Sequence, residues 1–242
     1  LPFPNTIKTI LPSNLVSDFK TTLKLEKGSY VFTYKGSDGT LVYRLIPKTG
    51  TFSDIQARWI GRGGVIKPCV GGGVYLVEGN IAVAPEKRIP SGKPVVTKDS
   101  VTIRYKVSKG DVSAVVAYTY RLWNKSLVID TVCKGGKIAE VRYGYAEGIE
   151  NPRLVKNPYY HYGASFPMVV VSGQVDKPLF LTGHTDWYLS NASTPFATSE
   201  IKKNHVAYQG GVQYISKTDG TRNDVYERFF ITMSPRYEEI LP

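Results

Sequence analysis

Histidine, cysteine and methionine are scarce in this chain: three, two and two among 242 residues. Cys69 and Cys133 are too few for a disulfide framework, and neither stands at a Cys–His spacing that would hold zinc; no metal and no cofactor is expected. Spacing alone leaves open whether the two are bonded, because a disulfide depends on Cα approach. No apolar run reaches the roughly 18 residues of a membrane-spanning helix, so membrane insertion is not expected. Helical periodicity is nearly missing: Ser13 to Lys20, with Ser13 as N-cap, is the one segment that predicts a short helix. The P-loop pattern, G-x-S-x-G, H-E-x-x-H and the kinase signatures are all absent. Gly61-Arg-Gly-Gly64 and Gly71-Gly-Gly73 precede no helix that could supply a phosphate-binding terminus, and read as tight β connections.

What is present is ordinary in bulk, with 42% apolar and 21% charged residues. A chain this long can bury roughly 70% of its unfolded surface without covalent staples. Its net charge of +11 comes from 31 basic against 20 acidic residues. The basic residues are scattered over polar positions and turns, and the densest group, Glu86-Lys-Arg88 with Lys93 and Lys98, lies in a Pro- and Gly-containing loop. Nucleic-acid binding needs such charge gathered on one face, so no nucleic-acid partner is expected. A general attraction for acidic polymers, anionic polysaccharides included, is compatible with this charge.

Period-two alternation recurs throughout. Tyr30, Phe32 and Tyr34 share one face, and Leu41, Tyr43 and Leu45 follow after Gly36-Ser-Asp-Gly39, a hairpin signal. Val101, Ile103, Tyr105 and Val107 alternate with Thr102, Arg104 and Lys106, giving a strand with one wet face. Further strands are expected over Val112–Leu122, Leu127–Cys133, Ile138–Tyr145, Met168–Ser172, Leu179–Thr182, Val206–Gln209, Val212–Ser216 and Val225–Met233, separated by turn residues. The pattern predicts an all-β fold, a large antiparallel β-sandwich with few or no helices. Residues 1–242 read as one domain, with Pro85–Pro94 as a long internal loop. The ending at Ser-Pro-Arg-Tyr-Glu-Glu-Ile-Leu-Pro242 reads as a module of a longer protein, with any export signal lying upstream or removed.

Two loop segments interrupt the strands, Asn157-Pro-Tyr-Tyr-His-Tyr-Gly163 and Gly183-His-Thr-Asp-Trp-Tyr-Leu-Ser-Asn191. Aromatic faces mixed with amide, carboxylate and imidazole groups suit a polyhydroxylated ligand, the rings covering apolar C–H faces while polar groups pair with hydroxyls. The alternative is that the rings plug the open ends of the sandwich. On the ligand-facing reading, Tyr159, Tyr160, Trp187 and Tyr188 supply stacking surface, and Arg153, Asn157, His161, His184 and Asp186 supply hydrogen bonds. His184 and Asp186, two apart on an extended backbone, can face one side. They and Ser165 or Ser190 do not define a nucleophile relay. Paired carboxylates for glycoside hydrolysis could be drawn from Glu147, Glu150, Asp186 and Glu227, against the reading that Glu147 and Glu150 balance Arg153 or Lys156. Asp130 reads as structural, paired with Arg142 or Arg121. Cys133 shares parity with Leu127 and Ile129 and should point inward.

The order of these phrases is similar to a known family. The hairpin region from Tyr34 to Trp59, Trp123-Asn-Lys-Ser-Leu-Val-Ile-Asp130, Gly135-Gly-Lys-Ile-Ala-Glu140 and Tyr143-Gly-Tyr145 together resemble the galactose-mutarotase-like β-supersandwich over about two-thirds of the chain. Such modules sit ahead of (β/α)8 barrels in bacterial glycoside hydrolases. The resemblance implies a sheet face that binds saccharide or a platform packed on a neighbouring catalytic domain of the same chain, in an extracytoplasmic protein that is not catalytic alone. Stand-alone mutarotases use histidines and a glutamate, and the order His161, His184, Glu227 is compatible with that; a mutarotase-like epimerase or polysaccharide lyase is thus the enzymatic alternative. A spacer without ligand is the third.

Overall fold

The computed structural model describes residues 10–156, 168–203 and 205–240. They form three antiparallel sheets, and the only helical elements among them are single 3-10 turns. The expected all-β sandwich is what the chain adopts.

The nine-stranded sheet runs in the order Arg153–Lys156, Met168–Ser172, Leu179–Thr185, Val225–Ser234, Ser126–Cys133, Val112–Trp123, Ser100–Lys109, Lys87–Pro90, with Val95–Val96 also paired to Ser100–Lys109. An eight-stranded sheet begins Phe19–Glu26, Ser29–Gly36, Gly39–Leu45, Ile55–Trp59, Arg62–Val70 and continues through Tyr145–Glu147 and His205–Ala207 to Glu200–Lys202. A five-stranded sheet, with Gly73–Glu78, Ile138–Arg142 and Gly211–Gln213 inside it, completes the set.

Alternation explains the packing. Val101, Ile103, Tyr105 and Val107 are all buried while Arg104 and Lys106 are exposed. One contiguous core draws on all three sheets. Phe52, in the turn between Gly39–Leu45 and Ile55–Trp59 of the eight-stranded sheet, packs on the nine-stranded one, its ring 5.2 Å from Tyr118 and 6.5 Å from Phe229. The Tyr43 hydroxyl crosses the core to donate to the carbonyls of Lys125 and Ile231. A buried phenol must find such partners or forfeit its hydration.

Some expectations need correction. Ser13 to Lys20 forms no helix; its end enters the strand Phe19–Glu26, where Phe19 stacks on Tyr34 at 5.3 Å and Leu23 pairs with Phe32. The side chain of Asn14 bonds the Val16 carbonyl, and the Leu15 amide is taken by Glu239, so local and tertiary polar bonds displace helical ones. The Pro85–Pro94 stretch contains an edge strand, Lys87–Pro90, where Pro90 is tolerated. Cys133 is buried as expected, and both cysteines are free thiols.

Below the hairpin turns lies a charged group that alternation cannot reveal. Lys125, in the turn after Asn124 (φ 51°), is 2% exposed. Its Nζ lies 2.6 Å from Asp38 Oδ2 and 2.5 Å from Glu239 Oε2, and 5.0 Å from the centroid of the Tyr34 ring. Tyr34 Oη donates to Asp38 Oδ1, and Ser234 Oγ and the Leu15 amide donate to Glu239. This knot ties the N-terminal segment, two hairpins and the Tyr237–Glu239 turn together.

Candidate functional site

The strand Leu179–Thr185 lies between Met168–Ser172 and Val225–Ser234, and its register fixes what each face presents. His184 pairs with Phe230, whereas Glu227 shares parity with the core residues Val225, Phe229 and Ile231. His184 and Glu227 therefore project from opposite faces of one sheet.

On the core-facing side, Glu227 is fully buried. Tyr143 Oη donates to Oε1 at 3.0 Å; Ser190 Oγ and Tyr214 Oη donate to Oε2 at 2.6 and 3.3 Å. Thr185 Oγ1 lies 2.5 Å from Tyr143 Oη, and the Tyr143 ring stacks on Phe229 at 3.9 Å. Burial lifts the Glu227 carboxyl to about 7, against the three hydroxyl donors that favour its charge. The same burial, with Glu227 close by, raises the phenols of Tyr143 and Tyr214.

The opposite face carries a charge ladder. Asp130 stands directly across from Arg228, with Nε–Oδ1 at 2.6 Å and Nη2–Oδ2 at 3.0 Å, so its partner is Arg228 rather than Arg142 or Arg121. The hydrogen-bonded Asp130 holds the Arg228 guanidinium in its charged form. Burial, followed by the repulsion of Arg228, lowers Arg121. The Asp130–Arg228 side chains are 17% and 16% exposed. Asp130→Ala is expected to destabilise the fold by about 1–3 kcal/mol by stranding that guanidinium, read as a lower urea midpoint with unchanged slope.

Asp186 follows the strand Leu179–Thr185 and caps the 3-10 turn Trp187–Leu189: its Oδ1 accepts from the Tyr188 amide at 3.2 Å, and its carbonyl accepts from the Leu189 amide. Its own amide donates to the Arg228 carbonyl. Asp186 Oδ2 is buried without a hydrogen-bond partner, and burial raises the carboxyl. The cap holds Trp187 and Tyr188 outward, 41% and 54% exposed. Ser190, which follows, reaches back to Glu227, so the exposed rings are tethered to the buried acid cluster.

His184 is 4% exposed, with Nε2 3.0 Å from Thr182 Oγ1 and its ring beside Phe230; burial lowers its pKa to about 4. It is a neutral interior imidazole, not a ligand-facing acid. With Glu227 on the other face, the two do not form a proton-transfer pair. Arg153 sits on the edge strand Arg153–Lys156, separated from Leu179–Thr185 by Met168–Ser172; its Nη2 donates to the Gly173 carbonyl and its buried Nε has no partner. Asn157, Tyr159, Tyr160, His161 and Ser165 lie outside the described residues.

The other proposed acids are dispersed. Glu147 lies 3.7 Å from Lys67, and Glu150 accepts from the Gly64 amide, in place of the expected Arg153 or Lys156. Ser190 serves Glu227 rather than a histidine. Among the described residues, no group of three His, Cys, Asp or Glu side chains could hold a metal. Sequence reasoning missed Tyr143 and Tyr214 as partners of Glu227; the inward parity of Glu227 within Val225–Ser234 was the available signal. No family model, no curated protein and no solved structure matches this chain.

Proposed function

We propose that this is a glycan-contacting β-sandwich module, not catalytic by itself, of an exported carbohydrate-active protein, working beside a catalytic domain. The observation that carries the reading is the outward pair Trp187 and Tyr188 on a turn fixed by Asp186 below and by the Ser190–Glu227 bond behind. Side by side, the two rings offer stacking surface to a partner. Held rigidly, they cover the C–H face of a pyranose with little loss of conformational freedom. Glu227 does not compete as a catalytic acid, since protein hydroxyls occupy both its oxygens and solvent does not reach it.

Affinity electrophoresis through gels containing soluble glucan, xylan, mannan or galactan tests this. At least one polymer should retard the folded protein, and Trp187→Ala should weaken that retention roughly tenfold or more, while Trp187→Phe keeps most of it. Mobility unchanged by every polymer, or retention indifferent to Trp187→Ala, contradicts the reading.

A further inference from the structure

A polar and aromatic groove of about 380 Å³ lies at the junction of the five- and eight-stranded sheets. Its walls include Tyr75, Arg142, Tyr145, Phe196 and His205, and its floor is opened by Gly144 and Gly210. Gly144, at φ 81°, interrupts the alternation after Tyr143, so Arg142 and Tyr145 both reach the groove while Tyr143 turns inward to Glu227. A Cβ at Gly144 would stand 2.4 Å from the Val70 carbonyl oxygen, so only glycine allows the two walls to approach there.

The guanidinium in this groove is positioned in advance. Its carbon lies 3.8 Å from the centroid of the Tyr75 ring, and its Nε donates to Glu140 Oε2 at 2.6 Å. Glu140 is set back, 12% exposed against 40% for Arg142, and its other oxygen takes the Gln213 amide at 3.1 Å. The acid is thus satisfied by protein, while among the described residues neither Nη group of Arg142 has a hydrogen-bond partner. Across the groove, Tyr145 packs against His205 with ring centroids 4.3 Å apart, both half-buried. A stacked, oriented guanidinium with its paired Nη donors free matches a carboxylate, and ring faces alongside match the C–H face of the sugar bearing it.

We propose that this groove binds a carboxylated sugar residue, a hexuronate, with the carboxylate on the Nη groups of Arg142 and the pyranose against Tyr145. The net charge of +11 favours approach of such a polyanion. The site is separate from the Trp187 surface and stands or falls independently of it.

Isothermal titration of the whole chain with oligogalacturonate, oligoglucuronate and oligomannuronate, their methyl esters, neutral galactose oligomers and sulfated galactose oligomers provides the test. Uronate binding is expected, weakened roughly tenfold or more by Arg142→Met and by methyl esterification, and retained in Trp187→Ala. Arg142→Lys, which keeps the charge but not the fork, should lose most of it. Tyr145→Ala separates ring contact from charge and should also weaken binding. Urea midpoints confirm that each variant is folded. Absence of uronate binding, binding of the neutral or esterified oligomers equal to that of the uronates once the other surface is removed by Trp187→Ala, binding of the sulfated oligomers alone, or uronate binding indifferent to Arg142→Met overturns the proposal. Loss of uronate binding in Trp187→Ala with retention in Arg142→Met would assign the anion to the other surface and also overturn it.

Discussion

Lys125→Met is expected to destabilise the protein by about 3–5 kcal/mol, enough to threaten folding of a domain of ordinary stability. The reason is asymmetry. The ammonium is 2% exposed and serves two carboxylates, Asp38 and Glu239, whose side chains are 6% and 0% exposed. Removing the cation leaves two like charges buried side by side, each still bound to hydroxyl or amide donors that hold it in place. Methionine is an unbranched side chain of similar length without the ammonium, which also lies 5.0 and 5.9 Å from the Tyr34 and Trp59 ring centroids, so the loss reports charge, its cation–π contacts included, more than volume. Adding Glu239→Gln to Lys125→Met should recover part of the loss, because one of the stranded charges is gone. A double-mutant cycle in urea would show the coupling, and purely additive losses would mean that the knot is not energetically connected.

Glu227→Gln is expected to change the pH dependence of stability more than its value in acid. Burial lifts the Glu227 carboxyl to about 7 in the fold. The folded chain therefore holds a proton that an unfolded glutamate, titrating near 4.3, releases earlier. This contribution is complete below about pH 4.3 and is lost as pH rises through about 7. His184 has the opposite sign. Its folded pKa of about 4 lies below the ordinary 6.5, so its contribution is present above pH 6.5 and lost as pH falls toward 4. The two slopes oppose each other between about pH 4.3 and 6.5, and the wild-type profile from this pair should be nearly flat there. Glutamine cannot ionise. The variant should lose the falling Glu227 slope, leaving the rising His184 slope without that counterweight, and exceed the wild type at pH 8 by on the order of 4 kcal/mol at most. Urea midpoints from pH 4 to 8 measure this; parallel profiles for the two proteins would contradict the assignment of a neutral, buried Glu227.

Much of the fold was legible because alternation is local. Val101 to Val107 announces its buried and wet faces without reference to the rest of the chain. The Gly36–Gly39 turn likewise fixes the pairing of its flanking strands, whose register closes at Gly36 opposite Gly39. What stayed hidden depends on partners distant in sequence. Asp130 was recognised as needing a cation, but Arg228 lies 98 residues away and becomes its partner only through the pairing of Val225–Ser234 with Ser126–Cys133. Lys125 looked like ordinary turn chemistry because nothing nearby shows that Asp38 and Glu239 converge on it. For the candidate site, Trp187 and Tyr188 stand outward, whereas His184 is buried and does not join them. Two residues apart on an extended backbone does place His184 and Asp186 on one side. That side is closed at His184, however, so spacing predicted direction but not access.

Contact between the outward rings and a glycan can be read directly from tryptophan emission in Trp123→Phe. Trp59 is 2% exposed and Trp187 is 41% exposed, so acrylamide quenching in this variant reports chiefly on Trp187. A polysaccharide that retards the protein in gels should shift the emission to shorter wavelength and shield it from acrylamide. Emission and quenching that remain unchanged at saturating polysaccharide would contradict a glycan-contacting role for this surface.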